Sequence, residues 1–453
     1  MKQPISKLVS LFCFCLALGT AQGQTPRASA SCKEVLKEEI RVDVAPQVQQ
    51  ALTSLQVTEA LAELPQVSPC EVKLEKIDLE HLSLPSFHLD QMNQVLIDTP
   101  QGPTEQITPE QPTPDLQGAY AYTKIKKVER SFKVGRSDKL NIENQFGRVD
   151  VQTWSRNEIA VEVTVVARAM TEEKAQEILN KINIRVNEDL GNNLLSFVTE
   201  REPMQIRSSS EKAFEINYLV KMPKGNPLRI ANKYGLVQMP DFDGPTDLEV
   251  QYGKLTTGSL NNPKNRITVT YSGGECQLAY VKGGDLLFKY SHMRLLGADD
   301  INTVTAYSSI TIDKVDMLTM ASRYDSRFHI GSAGQITGTG SYSGIKIGSL
   351  RESASLNVKY CSGFEINNVS SNFRKLELTG GYTGMALGFA DNSAFNFEVD
   401  TQYGSFKLDQ DLANFSLKEV RNTSSTYKGK YGKSASPKGT VNVTSKYGSI
   451  AFN

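Results

Sequence analysis

From Lys139 onward, apolar residues alternate with polar ones at period two: Leu140 and Ile142, Val149 and Val151, then Ile159, Val161, Val163 and Val165. This alternation predicts half-buried β-strands. One stretch breaks it. Thr171 is followed by Glu172 and Glu173, and Ala175, Ile178, Leu179 and Ile182 share a face, which predicts a helix. Strand alternation resumes at Phe214, Ile216, Tyr218 and Val220.

The rest of the chain is an internal repeat. Tyr234, Tyr252, Tyr271, Tyr290, Tyr307, Tyr324, Tyr342, Tyr360, Tyr382 and Tyr403 follow one another at spacings of 17 to 22 residues, and Tyr447 comes 44 residues later, about two more periods. Apolar residues precede each tyrosine at even offsets, as Leu228 and Ile230 precede Tyr234. After the tyrosine comes a small residue, and then apolar residues at odd offsets, as Ile310 and Ile312 follow Tyr307. The even offsets place each tyrosine on the core face of its strand. The change to odd offsets then requires a corner, which the small residue permits.

Two short strands in every 18–21 residues predict an all-β fold, a β-solenoid of the parallel β-helix type. A dozen or so coils from Leu228 onward, at ~4.8 Å each, would make a rod of roughly 55–60 Å. Phe146 carries the same motif upstream, so it joins the eleven tyrosines as the first rung of a structural ladder. The helix-containing stretch between that first coil and Leu228 is expected to cap the open end of the stack.

The N-terminal part is of another kind. Residues 1–23 read as a secretory signal: Lys2 and Lys7, an apolar run from Leu8 to Leu18, and small residues at Ala21 and Gly23. The apolar run is too short to span a bilayer, and no later run approaches the necessary length, so no integral helical membrane protein is expected. Residues 24–98 form an acidic segment, partly helical or disordered, and residues 99–118 a Pro-rich linker. Residues 119–227 hold the first coil and cap, and 228–453 the solenoid repeats. The formal net charge of zero hides this division: residues 31–118 carry 5 basic and 15 acidic side chains, and the body beyond them is mildly basic. Export brings oxidising conditions, which would allow a disulfide between Cys32 and Cys70.

The run from Lys139 to Trp154, the step Val220-Lys221-Met222-Pro223 and the return at Leu228-Arg229-Ile230-Ala231-Asn232-Lys233-Tyr234-Gly235 resemble the adhesin-like β-solenoid domain family of unknown function. That family occurs in secreted proteins of Bacteroidetes-type bacteria and is related to the head domains of autotransporter-type adhesins. The resemblance covers roughly Val128 to Asn453. It implies a right-handed-type solenoid at the cell envelope with no established catalytic centre, and it supplies no functional residues.

The remaining candidates for chemistry are sparse. The tyrosines could serve as a sugar-stacking platform, but their spacing on a core face favours structure, and Trp154 is the only tryptophan. His292 and His329 are two coils apart, with no second His or Cys at ligand spacing. Asp299 and Asp300 read as solvated turn residues that could bind a cation or act as an acid/base pair. Cys276 and Cys361 stand four to five coils apart, too far for a disulfide. Lys124, Lys126, Lys127, Arg130, Lys133, Arg136 and Lys139 read as a solvated edge that discourages strand addition, or as a contact for anionic polysaccharide or lipid head groups. Lys428, Lys430, Lys433 and Lys438 read as a disordered excursion from the coil.

The expectation is an exported, non-catalytic, adhesin-like solenoid without cofactor or metal, in the periplasm or on the outer cell surface. Its partner would be an envelope or surface glycan or protein, and not nucleic acid. A polysaccharide-degrading β-helix enzyme and a periplasmic sensor of an envelope signalling system are the alternatives.

Overall fold

A computed structural model describes residues 120–189, 191–204 and 213–453. The signal segment, the acidic segment, the Pro-rich linker, and Cys32 with Cys70 lie outside the described residues.

The first described strands include the first coil of the stack. They are β1 (Tyr122–Lys133), β2 (Lys139–Gln145), β3 (Val149–Trp154), β4 (Glu158–Ala169), β5 (Ile182–Asp189), β6 (Leu194–Arg201) and β7 (Phe214–Pro223). β1 runs antiparallel to β4, β4 antiparallel to β7, and β7 parallel to β3. On the other side β5 runs antiparallel to β6, and β6 parallel to β2. Helix α1 (Glu172–Asn180) packs on β1 and β4. Its first turn is capped by the Thr171 side chain, which accepts from the Lys174 N–H, and it buries Ala175 and Leu179. Ile182, expected on the helix face, is instead the fully buried first residue of β5. Thr171 to Leu179 already completes the amphipathic face, and the chain reverses at Lys181.

β2 and β3 continue the solenoid register, pairing in parallel with Leu228–Lys233 and Leu236–Met239. Each later coil stacks in parallel on the one before it. In the middle, single long strands such as Glu275–Lys289, His292–Ala306 and Ser309–Arg323 span the coil from one tyrosine to the next. Their inward positions, Leu286, Phe288, Met293, Leu295 and Ile301 among them, are almost wholly buried. Each large apolar side chain removed from water contributes about 1.5–3 kcal/mol, and the repeat renews that contribution in every coil.

The tyrosines do not lie on the core face. Phe146 and all eleven take a left-handed backbone, with φ between +52° and +60°. That conformation interrupts the strand alternation at the tyrosine itself. The residue before it and the ring both face outward, and the residue after it faces inward, which produces the odd offsets that follow. Eight of the eleven tyrosines are therefore 39–54% exposed. Period-two reasoning assumes an extended backbone throughout and fails where φ changes sign.

The C-terminal end departs from chain order. Nine tyrosines, Tyr234 to Tyr382, follow one another in consecutive turns, and then the sequence of coils rearranges. Strand Gly439–Lys446 inserts between Lys375–Gly381 and Phe395–Gln402, parallel to both. Ile450–Phe452 likewise inserts between Met385–Phe389 and Phe406–Lys407. Tyr447 therefore stacks before Tyr403, and the stack has fewer consecutive coils than the dozen expected. Residues between them form a hairpin, Ala413–Val420 with Ser424–Tyr431, laid antiparallel on Phe395–Gln402. Lys428 and Lys430, expected in a disordered excursion, are on that hairpin; Lys428 pairs with Glu398 at 2.8 Å and Lys430 donates to the Ala435 carbonyl.

Candidate functional site: the tyrosine corner

The corner is built by three neighbouring positions repeated through the stack. At the tyrosine, eleven ring-to-ring contacts join Phe146, Tyr234, Tyr252, Tyr271, Tyr290, Tyr307, Tyr324, Tyr342, Tyr360, Tyr382, Tyr447 and Tyr403 in that order. Centroids are 4.5–5.1 Å apart and planes within 19° of parallel. Each internal ring thus has a neighbour over both faces. No room remains for a sugar ring to stack, and what the ladder offers to solvent is a row of phenol edges and hydroxyls. Burial, helped by the neighbouring phenols, pushes the hydroxyls of Tyr271, Tyr290 and Tyr307 up from the usual phenol range, so these three are neutral at physiological pH.

The inward residue after the tyrosine clamps the corner. It begins as glycine, where a Cβ on Gly235 would lie 1.7 Å from the Gly147 carbonyl oxygen. It then becomes a buried polar ladder. Ser291, Ser308, Ser343 and Thr383 each donate a hydroxyl hydrogen bond, at 2.7–3.0 Å, to the carbonyl just before their tyrosine. Their oxygens also accept an N–H from the preceding coil, as from Ser291 to Ser308 and from Asp325 to Ser343. Asp325 occupies the same position and is 2% exposed. Burial pushes its carboxyl up from the usual range despite bonds accepted from Ser322, Thr305 and the Ser308 N–H. Cys361 is another member, and burial raises its thiol; burial pushes the Cys276 thiol up to about 11.

The residue before the tyrosine faces outward beside the ring. The strand register runs Lys289, Ala306, Arg323, Ser341, Lys359, Gly381, Lys446. Cations thus stand on every second coil with small side chains between them, and Lys233 holds the same position nearer the start. The parallel row two residues back, Leu287, Val304, Ala321, Thr339, Asn357, Thr379 and Thr444, is uncharged. Among the described residues, none of the four cations from Lys289 to Lys446 is in an ion pair; the Lys446 ammonium lies 5.5 Å from the Tyr447 ring centroid. Aligning the sequence on its tyrosines and reading one position back reveals this row. Attention to the tyrosines themselves passes over it.

Other candidates are dispersed. A shallow depression of about 600 Å³ holds Arg294, Arg327, His329 and Lys346, but Asp313 pairs with Arg294 at 3.0 Å and Glu365 with Lys346 at 3.1 Å. His292 and His329 lie on different rows, in register with Ser309 and Thr311. Asp299 and Asp300 are on the strand His292–Ala306 and not at a turn; Asp299 bonds the Tyr280 hydroxyl, which burial and that carboxylate push up to about 12. Lys127 on edge strand β1 pairs with Glu162, and Lys124 with Glu172. Among the described residues no helix is long and apolar enough to cross a membrane.

No family model and no curated protein matches the chain. Solved structures similar to it include a candidate cell-adhesion protein from Clostridium sporogenes (10% identity, 73% of this chain and 99% of that one, TM-score 0.18). A candidate adhesin from Parabacteroides distasonis is 13% identical over 58% of this chain and 93% of its own, with TM-score 0.27. A candidate lipid-binding protein from the same species is 10% identical over 72% and 96%, with TM-score 0.25. The β-solenoid assignment stands on the chain's own strand register.

Proposed function

We propose that this chain is an exported, non-catalytic, adhesin-like β-solenoid that binds or scaffolds at the bacterial cell envelope. The observation that carries this reading is the tyrosine corner: an outward row of phenol edges repeated at strand spacing, flanked by cations on alternate coils from Lys289 to Lys446. A repeated contact of modest strength gains by multiplicity when the partner is itself repetitive, as surface polymers are. Export is supported by the signal-type residues 1–23.

Retention of the full chain on isolated cell envelopes and on a glycan array tests the reading. Saturable retention without shortening of the bound polymer is expected, unchanged in Asp299→Ala/Asp300→Ala. Turnover of a polysaccharide that is lost in that double variant, with no stable retention, would overturn it.

A further inference from the structure

From the spacing of the outward cations we infer that the corner binds an extended acidic polysaccharide carrying one anionic group per disaccharide, lying along the stack. This rests on the adhesin-like reading above and specifies its partner. Lys289, Arg323, Lys359 and Lys446 recur on alternate coils, so their period is roughly 10 Å, twice the ~4.8 Å between paired strands. That is close to the advance of one disaccharide in an extended β-linked chain, whether 1,4-linked throughout or alternating 1,3 and 1,4 linkages. Ala306, Ser341 and Gly381 between them leave space for the uncharged sugar of each pair.

The electrostatics leave these four cations open to an external anion, unlike several others on the surface. The four side chains have no carboxylate partner among the described residues, whereas Arg294, Lys346, Lys127 and Lys428 are already paired. Beside the row, the tyrosine hydroxyls supply hydrogen-bond donors and acceptors for sugar hydroxyls at the strand repeat, and the ring faces, covered by their neighbours, do not compete. A membrane surface would also attract the charges, but it requires no period, and the alternation with small residues would then have no role.

Calorimetric titration of the full chain with hyaluronan oligosaccharides, which carry one carboxylate per disaccharide, tests the inference. Affinity should rise with length until the oligosaccharide spans four cations and then level off. Replacing one cation by alanine should weaken binding about threefold, and the quadruple variant Lys289→Ala/Arg323→Ala/Lys359→Ala/Lys446→Ala on the order of a hundredfold. The charge-conserving pair Arg323→Ala/Ser341→Lys, which breaks the period, should bind no better than Arg323→Ala alone. Equal binding by the quadruple variant, equal affinity for neutral cello-oligosaccharides, or stronger binding to phosphatidylglycerol vesicles than to hyaluronan would each overturn the inference. Envelope retention that survives in the quadruple variant would overturn it while leaving the adhesin-like reading intact; absence of retention in the unaltered chain would remove both.

Discussion

At each corner a tyrosine holds a conformation that costs an L-residue about 1–2 kcal/mol. Two stacking contacts of about 0.5–1.5 kcal/mol each, with the hydroxyl clamp of the following residue, are of a size to offset it. Tyr324, at φ +57° between Tyr307 and Tyr342, separates the two contributions. Tyr324→Ala should cost about 1–3 kcal/mol in denaturant unfolding, and Tyr324→Gly about 1 kcal/mol less than that, because glycine accepts the left-handed backbone. The reverse order would mean the corner is unstrained. Asp325 gives a pH-dependent test. Its carboxyl titrates higher in the folded protein than unfolded, so the protein loses stability as pH rises from the ordinary carboxylate range through the raised folded value. Asp325→Ser, which restores the hydroxyl of its neighbours, should therefore raise the melting temperature at pH 8 more than at pH 4. A uniform or opposite effect would show that the accepted hydrogen bonds outweigh burial.

At the scale of the element, the inserted C-terminal coil holds the end of the stack together. Val441, Val443 and Phe452 are buried between coils that precede them in sequence. A chain ending at Lys438 would leave strand Phe395–Gln402 without its parallel neighbour. Limited proteolysis should then remove residues beyond about 390 and spare the earlier coils; a protease-resistant product that keeps Phe395–Tyr431 would contradict this. The coils from Tyr234 to Tyr382 were legible in the sequence because strict alternation and tyrosine spacing both report the same period. The insertion was not, since a 44-residue gap fits two coils in line as well as a hairpin plus a returning coil. The direction of the rings was hidden for another reason: the switch from even to odd offsets marks a corner, but it does not say whether the tyrosine falls on the inward or the outward side of it. The cation row lay in plain view in the residue before alternate tyrosines, and acquired meaning only once the strand register showed which coils are neighbours.

Across the described solenoid, repetition that begins as a way to bury apolar side chains ends as a regular outer surface, since whatever stands beside one tyrosine stands in line with its equivalents. The claim that this corner is the contact face can be measured directly by iodinating the full chain with and without isolated cell envelopes and quantifying each tyrosine by mass spectrometry. Tyr122, 48% exposed on β1 and outside the ladder, is the internal control. The account predicts that bound envelope material protects Tyr290, Tyr307, Tyr324, Tyr342, Tyr360 and Tyr382 and leaves Tyr122 as reactive as before. Retention of the chain with the ladder tyrosines labelled equally in both conditions would contradict it.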